Sequence, residues 1–489
     1  MQGNECQAKE NSDCYNTCMR KTDQIVIAIF LLLPLIVLGI LKPNPIPRDI
    51  LDASYEINSI TDNAGNDVER LTLLLQFQPW RSDLWERLGR DFLNKEAYSD
   101  AINAFKNGDK NGDLSIVGKI AWADALISSG DIDSAKQLLR ANGSEGDSLI
   151  NFLQITALQR RIGDVYGAEA TLQNANRLFP ENGEVLFELG LMLSTTQPES
   201  AVQFLTKSQP GNQNDKLLKN ALLATLEATN DGVVQSERFL QIGQVLSTFN
   251  AWDAAAQAFE SSLAEDPESA LALAYLGEAK QRLGENGFSE INHALKLAPE
   301  NEIVNGLAGL YFRRQEKYDL AVFYLDKASQ LNQQANVWLI EKGRTYEQMG
   351  DLEKAYQLFK DATDLSPEDY TTWKALSVFC ITHNYDVETS GLTAARMALS
   401  LNPSSSVLAD LLGTGLMITG DYDSAERFFL QALRLDPNQS AIFIHLGQLK
   451  ILQKDFPAAQ AYLQQAVDFA PDNRLRDLAI QLLDEIPVQ

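Results

Sequence analysis

Three histidines, four cysteines and 66 carboxylates are the residues of this 489-residue chain that could carry chemistry. Their spacing leaves them little to do. His293, His383 and His445 lie in three separate stretches, so no ligand cluster or nucleophile-base-acid triad can be assembled from local spacing, and each reads as a surface or seam residue. Cys6, Cys14 and Cys18 are near one another, but structural zinc wants four ligands and no fourth lies beside them. Cys380 stands alone, which gives no disulfide framework. No His-Glu-x-x-His, Gly-x-Ser-x-Gly or glycine-rich phosphate loop occurs. The sequence therefore predicts no metal, no cofactor and no enzyme activity of its own. Asn142-Gly143-Ser144 and Asn438-Gln439-Ser440 match a glycosylation acceptor, a pattern common by chance.

Charge narrows the partners further. With 41 basic against 66 acidic residues the net charge is −25, which repels nucleic acid and anionic lipid head groups. Against that background the doublets Arg160-Arg161 and Arg313-Arg314 stand out as places where a carboxylate of a partner could be gripped.

The elements that must position these residues follow from one repeating phrase. From Ser82 to Asn473 an aromatic or leucine, then Leu-Gly, an aromatic, and later Ala, Phe, Ala and Pro recur about every 34 residues. The clearest copy, Ser406 to Gln439, holds Leu412-Gly413, Ala425, Phe429, Ala432 and Pro437; the next holds Phe443, Leu446-Gly447, Ala459, Leu463, Ala466 and Pro471. Trp85, Leu88-Gly89, Phe92, Ala101 and Phe105 keep the same spacing, as do Gly343, Tyr346, Ala355, Phe359, Ala362 and Pro367. Gly413 lacks Cβ and lets a second helix approach, and Ala425 and Ala432 do the same from that helix. Pro437 cannot continue the second helix. Gly130-Asp131, Gly350-Asp351 and Gly420-Asp421 end one helix on a residue that tolerates positive φ and start the next with an N-cap.

By this phrase the chain resembles the tetratricopeptide repeat (TPR) family over most of its length. The resemblance implies an all-α fold, a TPR α-solenoid with a right-handed superhelix of helix-turn-helix repeats, here preceded by one transmembrane helix. The expected organisation is a polar tail at 1–24, a transmembrane anchor at 25–41, a Pro-rich linker at 42–48 and a degenerate capping repeat at 49–81. An N-terminal array at 82–213, a degenerate half-repeat or break at 214–235, a C-terminal array at 236–473 and a capping helix at 474–489 follow. The unit from Tyr370 carries an insertion, since Ala398 and Pro403 arrive late, and the one from Ala270 is shortened around Gly284 to Gly287.

The resemblance further implies that positions two, five, nine, twelve and thirteen of each unit line a partner-binding groove. Those positions hold Arg90, Arg160, Arg161, Arg282, Arg313, Arg314, Arg344 and Lys374 against Asp83, Glu86, Asp124, Glu184, Glu237, Glu278, Glu347 and Asp410. Apolar residues such as Ile120, Phe187, Leu191, Ile340, Val378, Met417, Ile418, Ile444 and Leu452 join them, facing the groove or packing deeper. The expected partner site comprises Arg160, Arg161, Phe187, Arg313, Arg314, Arg344, Lys374 and Met417, and it would accept an apolar segment with acidic flanks. The Lys/Asn/Arg clamp with which some TPR grooves grip chaperone tails has no counterpart, because the unit from Ser82 offers Glu86 and Arg90, followed by Ile120, Ala121 and Asp124.

Ahead of the repeats, Ile25 to Leu41 is an uncharged apolar run closed by Lys42 and by Pro43, Pro45 and Pro47. At 1.5 Å per residue it reaches roughly 26 Å, at the short end of a membrane span. A cleaved signal peptide is the competing reading. A long polar lead, a long apolar core and the lack of a small-x-small cleavage pattern favour a retained anchor. Lys9, Arg20 and Lys21 before the run favour a cytoplasmic N-terminus and extracytoplasmic repeats. Three functional classes follow: a membrane-tethered scaffold for envelope assembly or secretion, a non-catalytic accessory of a surface-glycan or cytochrome assembly enzyme, and an enzyme whose site forms across distant repeats. The first is favoured, with protein partners and no nucleic acid.

Overall fold

The computed structural model describes residues 67–144, 148–230, 232–470 and 473–487. The expected anchor Ile25 to Leu41, the tail and linker around it and the stretch Ile50 to Ile60 lie outside the described residues. Among the described residues no helix is long and apolar enough to cross a membrane. Twenty-five α-helices and no strand are found there, in two compact bodies that divide between Pro180 and Glu181.

The first body holds α1 (Asp67–Phe77), α2 (Ser82–Asn94), α3 (Tyr98–Asn111), α4 (Ile116–Ser129), α5 (Ile132–Asn142), α6 (Leu149–Arg161) and α7 (Val165–Leu178). The second begins with α8 (Gly183–Ser194), α9 (Pro198–Lys207), α10 (Gln213–Ala228), α11 (Gln235–Thr248), α12 (Trp252–Glu265), α13 (Ala270–Arg282) and α14 (Phe288–Leu297). It continues with α15 (Glu302–Arg314), α16 (Tyr318–Leu331), α17 (Asn336–Gln348), α18 (Leu352–Leu365), α19 (Tyr370–Thr382) and α20 (Leu392–Leu401). It ends with α21 (Ser406–Ile418), α22 (Tyr422–Leu435), α23 (Ser440–Leu452), α24 (Phe456–Asp468) and α25 (Asn473–Asp484). Apart from α1, α10 and α25 the helices pack as consecutive hairpins.

Each residue of the phrase has a visible task. A Cβ on Gly413 would sit 2.7 Å from two ring carbons of Phe429, which is fully buried on the second helix of the same hairpin. The Leu-Gly and Phe of the phrase are thus two halves of one contact, and any side chain at the glycine would push the helices apart. Between the two helices of a hairpin the backbone turns through a left-handed residue. Gly130, Gly163, Gly284, Gly350 and Gly420 supply it in five hairpins, and Glu96, Asn250, Glu316, Asn384 and Lys454 supply it at the same position in five more. The hairpin of α8 and α9 departs from this, because Gln197 precedes Pro198, which keeps it out of the helical region, and turns at φ −138° and ψ 68°. After the left-handed residue, Asp131, Asp351 and Asp421 cap the next helix by accepting the N–H groups of Ser134, Lys354 and Ser424.

The proline that closes a repeat leaves a carbonyl that the next repeat uses. Trp85 Nε1 donates to the Pro79 carbonyl at 2.9 Å, Trp373 Nε1 to that of Pro367 at 2.7 Å and Asn305 Nδ2 to that of Pro299 at 2.9 Å. The donor sits six residues beyond the proline each time, so one side chain ties the end of one hairpin to the start of its neighbour.

Two irregular stretches differ from a plain array. The extra residues after Asn384 are absorbed as a π-helical turn, Val387–Gly391, that runs directly into α20. The segment 214–235, expected as a place for the array to break, lies inside the second body. Its helix α10 buries Leu218, Leu222 and Leu226 in one core with Phe187, Leu191, Phe239 and Leu246. Arg238 of α11, 4% exposed, reaches Glu199 of α9 at 2.5 Å, and Ser261 Oγ of α12 donates to the Thr195 carbonyl at 2.6 Å. A single amphipathic helix can fill this position because its neighbours on both sides offer apolar faces.

Candidate functional site

The first helices of several successive hairpins are joined by ion pairs and by histidine-carboxylate hydrogen bonds. On α13, Glu278 is buried and lies 2.5 Å from Arg314 of α15, while Arg282 one turn further along α13 approaches at 2.9 Å. Burial pushes the Glu278 carboxyl up, yet hydrogen bonds and charge from Arg314 and then Arg282 outweigh it and hold the carboxyl below the ordinary glutamate range. The next step joins α15 to α17. Arg313 Nη2 lies 2.7 Å from Glu341 Oε2, Arg313 Nη1 donates to the Glu341 main-chain carbonyl at 2.9 Å, and Arg344 takes Glu341 Oε1. Between α17 and α19, His383 Nε2 lies 2.7 Å from Glu347 Oε1. Between α21 and α23, His445 Nδ1 lies 2.8 Å from Asp410 Oδ1. In the first body Arg161 meets Asp124 at 2.7 Å, and Glu86 holds Arg90 on its own helix.

The charges expected to face a partner are therefore largely spent on one another. Arg313 and Arg314 are structural clasps between hairpins, with side chains only 11% and 23% exposed. Arg161 is tied to Asp124, and Arg160 lies half-buried on α6. Phe187 is buried, because its position on α8 turns into the core that α10 completes. Leu191, Ile340 and Ile444 are buried in the same way, whereas Val378, Ile418 and Leu452 stay exposed. Met417 is partly buried against the core around Leu412 and Phe429. Of the histidines, His293 is exposed, and the other two occupy seams between hairpins with their rings beside Phe379 and Phe429.

Arg344 and Lys374 are brought together. They line a cavity of about 410 Å³ between α17 and α19, whose apolar wall includes Val337, Ile340, Val378 and Phe379. Asn336, at its mouth, donates to Asp369 at 3.0 Å and so links the start of α17 to the N-cap of α19. No carboxylate among the described residues pairs with Lys374, and half of the Arg344 side chain is exposed. The cavity thus joins an apolar floor to two cationic groups, with the carboxylates of Glu341 and Glu347 also in its lining. Sequence reasoning missed Glu341, which lies outside the positions taken as groove-facing. An acidic residue about one repeat away from Arg313 is the signal that could have found it.

No set of three His, Cys, Asp or Glu residues that could hold a metal ion occurs among the described residues. The Cys380 thiol is buried and pushed up to about 12 by burial and then by the nearby Asp386 charge. Asn142 is buried with its amide donated to the Leu138 carbonyl, while Asn438 is exposed in a turn.

Tetratricopeptide repeat models match residues 339–369, which contain most of α17 and all of α18, and residues 416–486. The chain carries tetratricopeptide repeats. The cavity therefore lies between the first helix of a hairpin that a TPR model covers and the first helix of the hairpin that follows it. No curated protein matches the chain. Among solved structures, the chain is similar to yeast Tom70, at 16% identity over 82% of this chain and 95% of that one, with a TM-score of 0.43. It is also similar to a chain of the APC/C hetero-tetramer Cut9-Hcn1, at 14% identity over 86% and 93%, with a TM-score of 0.44. YrrB, described as a TPR protein with an unusual peptide-binding site, matches at 20% identity over 39% of this chain and 97% of its own, with a TM-score of 0.32. At these identities and TM-scores the likenesses bear on no partner or role of this chain.

Proposed function

We propose that this protein is a non-catalytic interaction scaffold that seats a segment of a partner protein in the cavity between α17 and α19. The observation that carries this reading is the pairing of an open apolar wall, Val337 and Val378 over buried Ile340, with the unpaired ammonium of Lys374 and the half-exposed Arg344. An apolar side chain of the partner removes Val337 and Val378 from water. A carboxylate beside it meets Arg344 and Lys374 in a partly desolvated setting, where a charge-assisted hydrogen bond is stronger than at an open surface. The cavity is within the size range of sites that accept a compact group of atoms.

The test is selection of displayed peptides on the full-length chain, compared with Lys374→Ala and Val378→Glu. Selected segments should pair a bulky apolar residue with an acidic one and should lose binding to both variants. Segments that bind the variants as well as the parent place the contact elsewhere and refute this site.

The same reading has the scaffold held at a membrane by Ile25 to Leu41 with its repeats outside the cytoplasm, which rests on sequence alone. Protease added to intact cells should then remove the repeats. Protection of the repeats reverses the topology, and extraction of the chain by alkaline carbonate removes the tether from the proposal.

A further inference from the structure

We infer that Arg313, which does not line the cavity, sets the charge of the site between α17 and α19 and thereby its preference for an acidic partner segment. This rests on the reading of that cavity as the partner site. Glu341 lines the cavity and has one negative charge to divide between two guanidinium groups: Oε2 goes to Arg313 and Oε1 to Arg344. Arg313 is held firmly, because it also donates to the main-chain carbonyl of Glu341 and its side chain is only 11% exposed. Arg344 is 51% exposed. Two cations on one carboxylate leave one positive charge, and its outlet is the exposed partner, Arg344, on the cavity side. Lys374 adds a second positive group there and Glu347, which hydrogen-bonds His383 of the next hairpin, adds a negative one, so the charge on Arg344 decides the sign of the site.

The sign of each change follows. With the Arg313 charge removed, both oxygens of Glu341 are available to Arg344, which becomes a neutral pair and stops attracting an anion. With the Glu341 charge removed, Arg344 is released to the ligand. Removing both returns the local charge to its starting value. Arg313 is thus a positioning residue that acts through Glu341, and the cavity's selectivity is written partly on the preceding hairpin.

The experiment compares two labelled synthetic peptides on the full-length protein, one with a Leu-Phe core flanked by Asp and Glu and one with Asn and Gln in their place. Arg313→Gln should weaken the acidic peptide about tenfold, the equivalent of ~1.4 kcal/mol, and leave the amide peptide unchanged. Glu341→Gln should shift preference further toward the acidic peptide. The double variant should return toward the parent, and Arg313→Lys should keep the parent's preference. Equal weakening of both peptides by Arg313→Gln would show a purely structural role and overturn the inference. So would unchanged binding in Arg313→Gln while Lys374→Ala still abolishes it. If Lys374→Ala affects neither peptide, the cavity reading itself fails and this inference falls with it.

Discussion

Replacing Gly413 by alanine sets two effects of known size against each other. A helix-interior glycine costs roughly 1 kcal/mol relative to alanine, so on intrinsic propensity the substitution stabilises. The new methyl, however, meets Phe429 Cδ1 and Cε1 at 2.7 Å, closer than carbon atoms pack. Phe429 is a rigid ring with 0% exposure, enclosed by Leu412, Ala425, Ala432 and Leu446, so it has nowhere to turn. Overpacking of a filled core costs about 1–3 kcal/mol. Overpacking wins, and Gly413→Ala should destabilise its hairpin by about 1 kcal/mol net. Gly343 is the internal control: its added methyl meets the Phe359 ring at 3.0–3.2 Å, a contact that a shift of a few tenths of an ångström relieves. Gly343→Ala should be near neutral. Because a solenoid unfolds by regions, the assay is amide hydrogen exchange resolved to α21 and α22 for one variant and α17 and α18 for the other. Slower exchange in Gly413→Ala than in the parent, or equal effects at the two sites, would refute the assignment of the Leu-Gly and Phe pair as one steric contact.

Further outcomes follow from the buried charged and polar groups. The Cys380 thiol, pushed up to about 12, should resist iodoacetamide at pH 8 in the folded protein and react once denatured, as read by peptide mapping at that cysteine. Glu278 is held below its ordinary value of 4.5, so the stability it contributes is complete above that value and is lost as pH falls through the depressed folded-state value. Thermal melts of Glu278→Gln should therefore fall well below the parent at pH 7, and the gap should close as the solution is acidified. A gap that stays constant with pH would assign the loss to packing.

Local structure was the part most visible in the sequence, because its determinants sit within one repeat. Gly350-Asp351 specified a left-handed turn and an N-cap at adjacent residues, and Ala355, Phe359 and Ala362 marked the buried stripe of α18. The site was less visible because its charges are balanced across repeats. Arg314 finds Glu278 36 residues back and Arg313 finds Glu341 28 residues ahead, so neither doublet reads as paired within its own helix. Phe187 occupies a position that the repeat assigns to the groove, but α10, which has no place in the repeating phrase, covers it. Lys374 and Arg344 occupy groove positions of the repeat and line an open cavity.

The left-handed turn within each hairpin has a consequence for how the chain can change. The same backbone bend is made by glycine in five hairpins and by glutamate, asparagine or lysine in five others, so the bend is imposed by the docking of the two helices and not by the residue that occupies it. A residue with a Cβ sits there at a cost of about 1–2 kcal/mol, which neighbouring packing absorbs. Each such position is a reserve: replacing Glu316 or Lys454 by glycine relieves local strain without altering a buried contact or a charge of the cavity. The array has several such unused increments, and each, once substituted, would offset a destabilising substitution elsewhere along its length.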